Sequence, residues 1–132
     1  MPIKLEKTED ANIDEIHEDE LNLINTLIDS LKDGSDEEIE RLFLDLIDHS
    51  FRHFEYEESL MDTSSGYSFK ELHKTEHYKV ISDLRYQLQN WRNFKDRWEL
   101  NEYLESDLLT CLDQHIKAMD IPMIEFFRSF DR

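Results

Sequence analysis

Seven side chains able to bind metal recur in this chain at spacings that a helix turns onto one face. His53 and Glu57 are four residues apart, and so are His73 and His77, so each pair projects from one side of a helix toward a common point. His17 and His115 fall on inward lines of their own, and Asp120 follows His115 by five residues. Five imidazoles and two carboxylates are too many for a single tetrahedral zinc. They suit two metal ions bridged by carboxylates. A lone HxxxH pair is more often incidental than functional, and a lone His on an apolar stripe is more often a hydrogen-bonded core residue. Here all four helical stretches contribute a His to the inner face, which points to a shared metal centre.

The elements that must position these residues are legible from apolar period and punctuation. Ile13, His17, Leu21, Ile24, Ile28 and Leu31 fall at steps of three and four, as do Leu42, Leu46, Ser50, His53, Glu57 and Leu60. A third line is His73, His77, Val80, Leu84, Leu88 and Trp91, and a fourth is Leu104, Leu108, Cys111, His115 and Met119. These are the inward lines of an all-α, antiparallel up-down-up-down four-helix bundle with short loops. Asn12 is the expected N-cap of the first helix, which should end at Gly34 in a left-handed conformation. Ser35 with Glu38 and Ser68 with Glu71 have the capping-box spacing for the second and third helices. Thr63-Ser64-Ser65-Gly66 reads as a loop. A further break is expected near residues 93–96, with Asp96 and Glu99 as the start signal. Pro122 should stop the fourth helix near Asp120, letting that carboxylate swing back toward the other ligands. His49, one turn before His53 but off its line, reads as a flank residue.

Energetics make the polar positions informative. An imidazole or carboxylate buried without a partner costs about 2–7 kcal/mol, whereas a whole domain is stable by only about 5–15 kcal/mol. Six such residues on core lines (His17, His53, Glu57, His73, His77 and His115) would unfold the chain unless something satisfies them together.

Composition limits the remaining possibilities. The 132 residues are 36% charged, with 15 Lys and Arg against 32 Asp and Glu and a net charge of −17. Clustered cations are what nucleic acid and anionic membranes require, so neither is an expected partner. The single cysteine, Cys111, cannot form an internal disulfide. No apolar signal region opens the sequence and no apolar run nears membrane-spanning length, so a soluble, cytoplasmic, single-domain protein (1–132) is expected.

The motifs resemble those of the hemerythrins, particularly the single-domain bacterial ones. His53-Phe54-Glu55-Tyr56-Glu57-Glu58-Ser59-Leu60-Met61 is similar to the family's HFxxEExxM. Gly66-Tyr67 followed by His73 and His77 matches its Tyr and HxxxH, and His115-Ile116 with Asp120 matches its HIxxxD. Ile13-Asp14-Glu15-Ile16-His17, with Asn25 eight residues on, is similar to its IDxxH helix. The resemblance implies that His73, His77 and His115 bind one iron, that His17 and His53 bind the other, and that Glu57, Asp120 and a solvent-derived oxygen bridge them. It further implies that dioxygen binds reversibly at an open position on the two-histidine iron, where it is held as a hydroperoxide. Three departures stand out. The N-terminal Trp usual in bacterial members is absent, Ser68 replaces a common Pro, and Cys111 takes the place of a Trp one turn before His115.

The expected function is therefore dioxygen binding without catalysis, as a carrier, store or sensor, with a reductant or signalling partner still to be identified. Oxygen-activating di-iron sites are carboxylate-rich and use Glu-x-x-His pairs, and no His here has a Glu three residues before it. Two alternatives stay open at this point: a di-iron enzyme acting on nitric oxide or peroxide, and a structural bundle holding zinc.

Overall fold

Apolar residues at steps of three and four give each stretch one side that gains by leaving water, and four such sides close on one another. The computed structural model describes residues 5–63 and 66–129. Among these, α1 runs Ala11–Asp33, α2 Asp36–Thr63 and α3 Lys70–Phe94, while a fourth helical run, α4, extends from Arg97 to Arg128. No strand occurs among the described residues, and none of their helices is long and apolar enough to cross a membrane. Helix α1 packs on α2, α2 on α3, and α4 on both α1 and α3. Two-residue links at 34–35 and 95–96 turn each helix back beside its predecessor, which makes an up-down-up-down bundle.

The core is divided. A larger apolar block includes Ile24, Phe43, Leu46, Leu84, Trp91 and Leu104. A smaller one, at the opposite end, holds Ile13, Met61, Tyr67, Met123 and Ile124. Between them, on every helix, lie buried polar residues: His17 and Glu20, then His53 and Glu57, then His73 and His77, then His115 and Asp120. Burying a large apolar side chain contributes about 1.5–3 kcal/mol, so the larger block supplies most of the adhesion and the polar layer must be satisfied by other means.

Several helix ends differ from expectation. The N-cap of α1 is Asp10, not Asn12; its carboxylate accepts from the backbone N–H groups of Asn12 and Ile13, a charged acceptor placed two residues earlier. Gly34 is extended (φ −75°, ψ 162°), not left-handed. Glycine is needed there for another reason: a Cβ would stand 2.7 Å from the Ser30 carbonyl oxygen and 3.1 Å from Ser30 Cβ. Gly34→Ala should therefore lower the unfolding free energy by about 1–3 kcal/mol, measured by urea titration, and an unchanged midpoint would contradict the crowding.

Ser35 Oγ accepts from the Glu38 N–H as expected (3.1 Å), and Asp96 caps α4 through the Glu99 N–H (3.0 Å). Ser68 does not cap α3. The residue before that helix is Phe69, with no side-chain cap, because the chain turns at Tyr67, whose carbonyl accepts from the Lys70 N–H. In the expected loop before it, Gly66 has φ +89°, while Ser64 and Ser65 lie outside the described residues.

Helix α4 departs most. It contains two π-helical segments, Tyr103–Leu108 and Ile116–Asp120. It also does not stop at Asp120: Pro122 sits in the first turn of the closing segment Ile121–Arg128. The wider π turn carries its hydrogen bond from the Ile121 N–H to the Ile116 carbonyl, and proline is tolerated in the turn that follows a disturbed register. The first π segment also shifts the phase of α4. Its inner line runs Leu104, Leu108, Leu112, His115 and Asp120, and Cys111, expected inside, is exposed.

Candidate metal centre

Each helix delivers its part of the layer by local geometry. The four-residue steps His53–Glu57 on α2 and His73–His77 on α3 stack side chains on one face. On α4 an ordinary turn would carry a residue five positions after His115 well off that face. The π turn, which needs about one more residue to come round, returns Asp120 to it. The structure thus brings all seven predicted residues together. Glu57, His73 and Asp120 are fully buried, and His17, His53, His77 and His115 are at most 7% exposed.

The two carboxylates divide the imidazoles between them. Glu57 turns Oε1 toward His73 Nε2 (3.2 Å) and His77 Nε2 (3.0 Å), and Oε2 toward His53 Nε2 and, at 3.9 Å, His17 Nε2. Asp120 turns Oδ1 toward His73 (3.0 Å) and His115 (3.1 Å), and Oδ2 toward His17 (3.0 Å). One oxygen of each acid faces a three-histidine group, and the other faces a two-histidine group. The donor atoms form two compact clusters, His73, His77 and His115 with both acids and His17 and His53 with both acids, each within 4.8 Å.

Despite these short approaches, His17 Nε2, His115 Nε2 and both Asp120 oxygens make no hydrogen bond. They converge on common points without the alignment that hydrogen bonding demands. Buried polar atoms left this way are costly, and a shared cation satisfies all of them at once. Imidazole nitrogen and carboxylate oxygen are donors suited to divalent iron, cobalt or zinc, so the residues fit a pair of such ions.

The electrostatics agree. Burial alone would lower the His17 and His73 pKa values, but Asp120 and Glu57 outweigh it and push both up to about 9. Burial would likewise raise the Glu57 carboxyl, yet the charge on His53 and the donors of His17, His53 and His73 hold it well below its usual range. Without metal, protons occupy the places between these groups, and metal uptake has to displace them.

Two carboxylates outside the predicted set support the imidazoles from behind. Glu58 stands 2.9 Å from His77 Nδ1. Glu20, 1% exposed, accepts from Ser50 Oγ at 2.7 Å and has oxygens 3.5 Å from His53 Nδ1 and His49 Nδ1. Sequence reasoning assigned the inner place on α1 to Leu21, which is only partly buried. The three-residue step from His17 to Glu20 was the signal that could have found it. His49 does lie at the flank, beside Glu20. Phe54 stacks on His77 with centroids 4.0 Å apart and planes within 9°, which fixes the orientation of that imidazole.

Comparison with known proteins adds one relative. Over 119 residues the chain is 27% identical to the bacteriohemerythrin of Aquifex aeolicus (strain VF5), covering 90% of both chains. The all-helical bundle and its buried histidine and carboxylate layer agree with that likeness. No family model and no solved structure matches it. Cys111, expected on the inner line, lies on the protein surface. The residue turned inward one turn before His115 is Leu112, 4% exposed.

Proposed function

We propose that this chain is a hemerythrin-like domain that binds dioxygen reversibly at a pair of iron ions. His73, His77 and His115 would hold one ion, His17 and His53 the other, and Glu57 and Asp120 both. The observation that carries the reading is the division of five imidazoles into three and two by the oxygens of two buried acids. Unequal protein ligation leaves the two-histidine ion with room for a small ligand. When bound, such a pair supplies two electrons and a coordination position for a diatomic molecule.

The chain's own residues shape the approach to that position. A cavity of about 230 Å³ lined by Leu5, Lys7, Asp14, Leu21 and His17 opens to the surface on the two-histidine side, a volume suited to small molecules rather than large substrates. Two carboxylates against five imidazoles leave high-valent iron less stabilised than a carboxylate-rich site would, which favours holding oxygen over splitting it. Carrier, store and sensor all use this property.

Anaerobic loading with ferrous iron, followed by elemental analysis and visible spectra through cycles of air and deoxygenation, tests the reading. Two irons per chain and a spectrum that reverses with each cycle are expected. Saturation at one iron, preference for zinc under matched conditions, or catalytic consumption of nitric oxide or peroxide without reversible oxygen binding would overturn it.

A further inference from the structure

Glu20 has no place among the seven donors, yet it is buried to within 1% on α1. A carboxylate removed from water costs several kcal/mol unless it is paired. Its ion-pairing partners among the described residues are two imidazoles, His49 and His53, each reached through Nδ1 at 3.5 Å. His53 turns its Nε2 into the donor cluster beside Glu57; with a metal ion on that nitrogen, the proton of the neutral ring is left to Nδ1, on the Glu20 side. Ser50 Oγ donates to Glu20 Oε1 at 2.7 Å, the oxygen nearer His49, and so leaves Oε2 for His53. His77 has an equivalent partner in Glu58, but that side chain is 32% exposed, and solvent screens its charge. Glu20 acts in a dry interior where electrostatic effects are stronger.

We propose that Glu20 is a positioning residue for the metal pair: it faces His53 Nδ1, which has no hydrogen-bond partner of its own, and accepts that N–H once metal holds Nε2, fixing the ring's tautomer and lending negative charge through it to the two-histidine ion. A carboxylate behind a ligating imidazole makes it a stronger donor, which favours the oxidised over the reduced ion. This rests on the di-iron reading above. Ser50 sets how much of the charge reaches His53, because its hydroxyl draws on the same carboxylate.

The test uses the full chain and the variants Glu20→Gln, Ser50→Ala and Glu58→Gln, each loaded with iron. Glu20→Gln should still take up two irons and keep its helicity, while the redox equilibrium shifts about tenfold toward the reduced form, about 59 mV for one electron. Ser50→Ala should shift it the opposite way, since the freed carboxylate then binds the His53 proton more strongly, and Glu58→Gln should shift it less than Glu20→Gln. In zinc-loaded, diamagnetic protein the His53 Nδ1–H resonance should move in Glu20→Gln, a readout independent of oxygen and iron. A merely structural role predicts loss of stability in both the Glu20 and Ser50 variants with no opposed shifts. Unchanged potentials, or shifts of the same sign, in proteins that hold two irons overturn the proposal for Glu20 alone. A parent chain that fails to take up two metal ions overturns it together with the di-iron reading. Should Glu20→Gln not fold, the sign of the Ser50→Ala shift decides by itself.

Discussion

Glu57→Gln should give a chain that remains helical but holds at most one metal ion. The substitution keeps the side-chain volume, so neither apolar block is disturbed and the loss is electrostatic. In the native layer the two Glu57 oxygens face different histidine groups, His73 and His77 on one side and His53 with His17 on the other. An amide offers one acceptor oxygen and, in place of the other, an NH₂ group that donates. Whichever way it turns, one cation site meets a donor instead of an anion. The shared negative charge is gone as well, which leaves two nearby cations with only Asp120 between them. Iron content should fall from two per chain to one or none, with the far-ultraviolet circular dichroism of the parent largely retained. A variant that binds two irons as tightly as the parent would remove Glu57 from its bridging place.

Stripping the metal from the parent should lower its melting temperature by roughly 10 °C or more, since each kcal/mol is worth about 2–8 °C in domains of this size range. The metal-free layer should also be sensitive to pH in a definite direction. His17 and His73 have folded pKa values of about 9, above the ordinary 6.5 of the unfolded chain. Their contribution is therefore complete below about pH 6.5 and is lost as pH rises through about 9. Glu57, held low, contributes above the ordinary carboxylate range and loses that contribution as pH falls. Metal-free protein should thus be most stable in mildly acidic solution and weaken toward pH 9, while the metal-loaded form, whose imidazoles are already neutral and ligated, should lack that alkaline decline. Thermal melts of both forms from pH 5 to 9.5 check this; parallel curves would contradict it.

Much of this architecture was legible beforehand because burial imposes a period. Ile24, Leu46, Leu84 and Leu104 had to face inward at helical steps, and they do. The same constraint made buried histidines conspicuous, which is why seven of the eight residues of the polar layer could be named from sequence. What was not legible depends on differences of a residue or two. A cap can be taken by Asp10 or Asn12 for a small free-energy difference. Gly34 serves close packing against Ser30 instead of handedness. Leu21 and Glu20 are adjacent, and a hydropathy pattern always places the leucine inside. Glu20 is buried because His53, His49 and Ser50 meet it from α2, a pairing between helices that no single helix advertises. The π segments of α4 are likewise invisible to a period of 3.6, and they alone explain why Cys111 faces out and Asp120 faces in.

That last feature bears on how spacing motifs on helices are interpreted. A four-residue interval in an α-helix and a five-residue interval across a π turn aim two side chains in nearly the same direction. His73–His77 and His115–Asp120 are therefore synonyms, two spellings of one geometric instruction to place two donors one above the other. A pattern search that admits only the first spelling would pass over the second and would count one helix of this bundle as lacking its pair. The longer spelling also inserts a residue into the interval without turning the face away, so motif lengths on such helices carry a built-in tolerance of one.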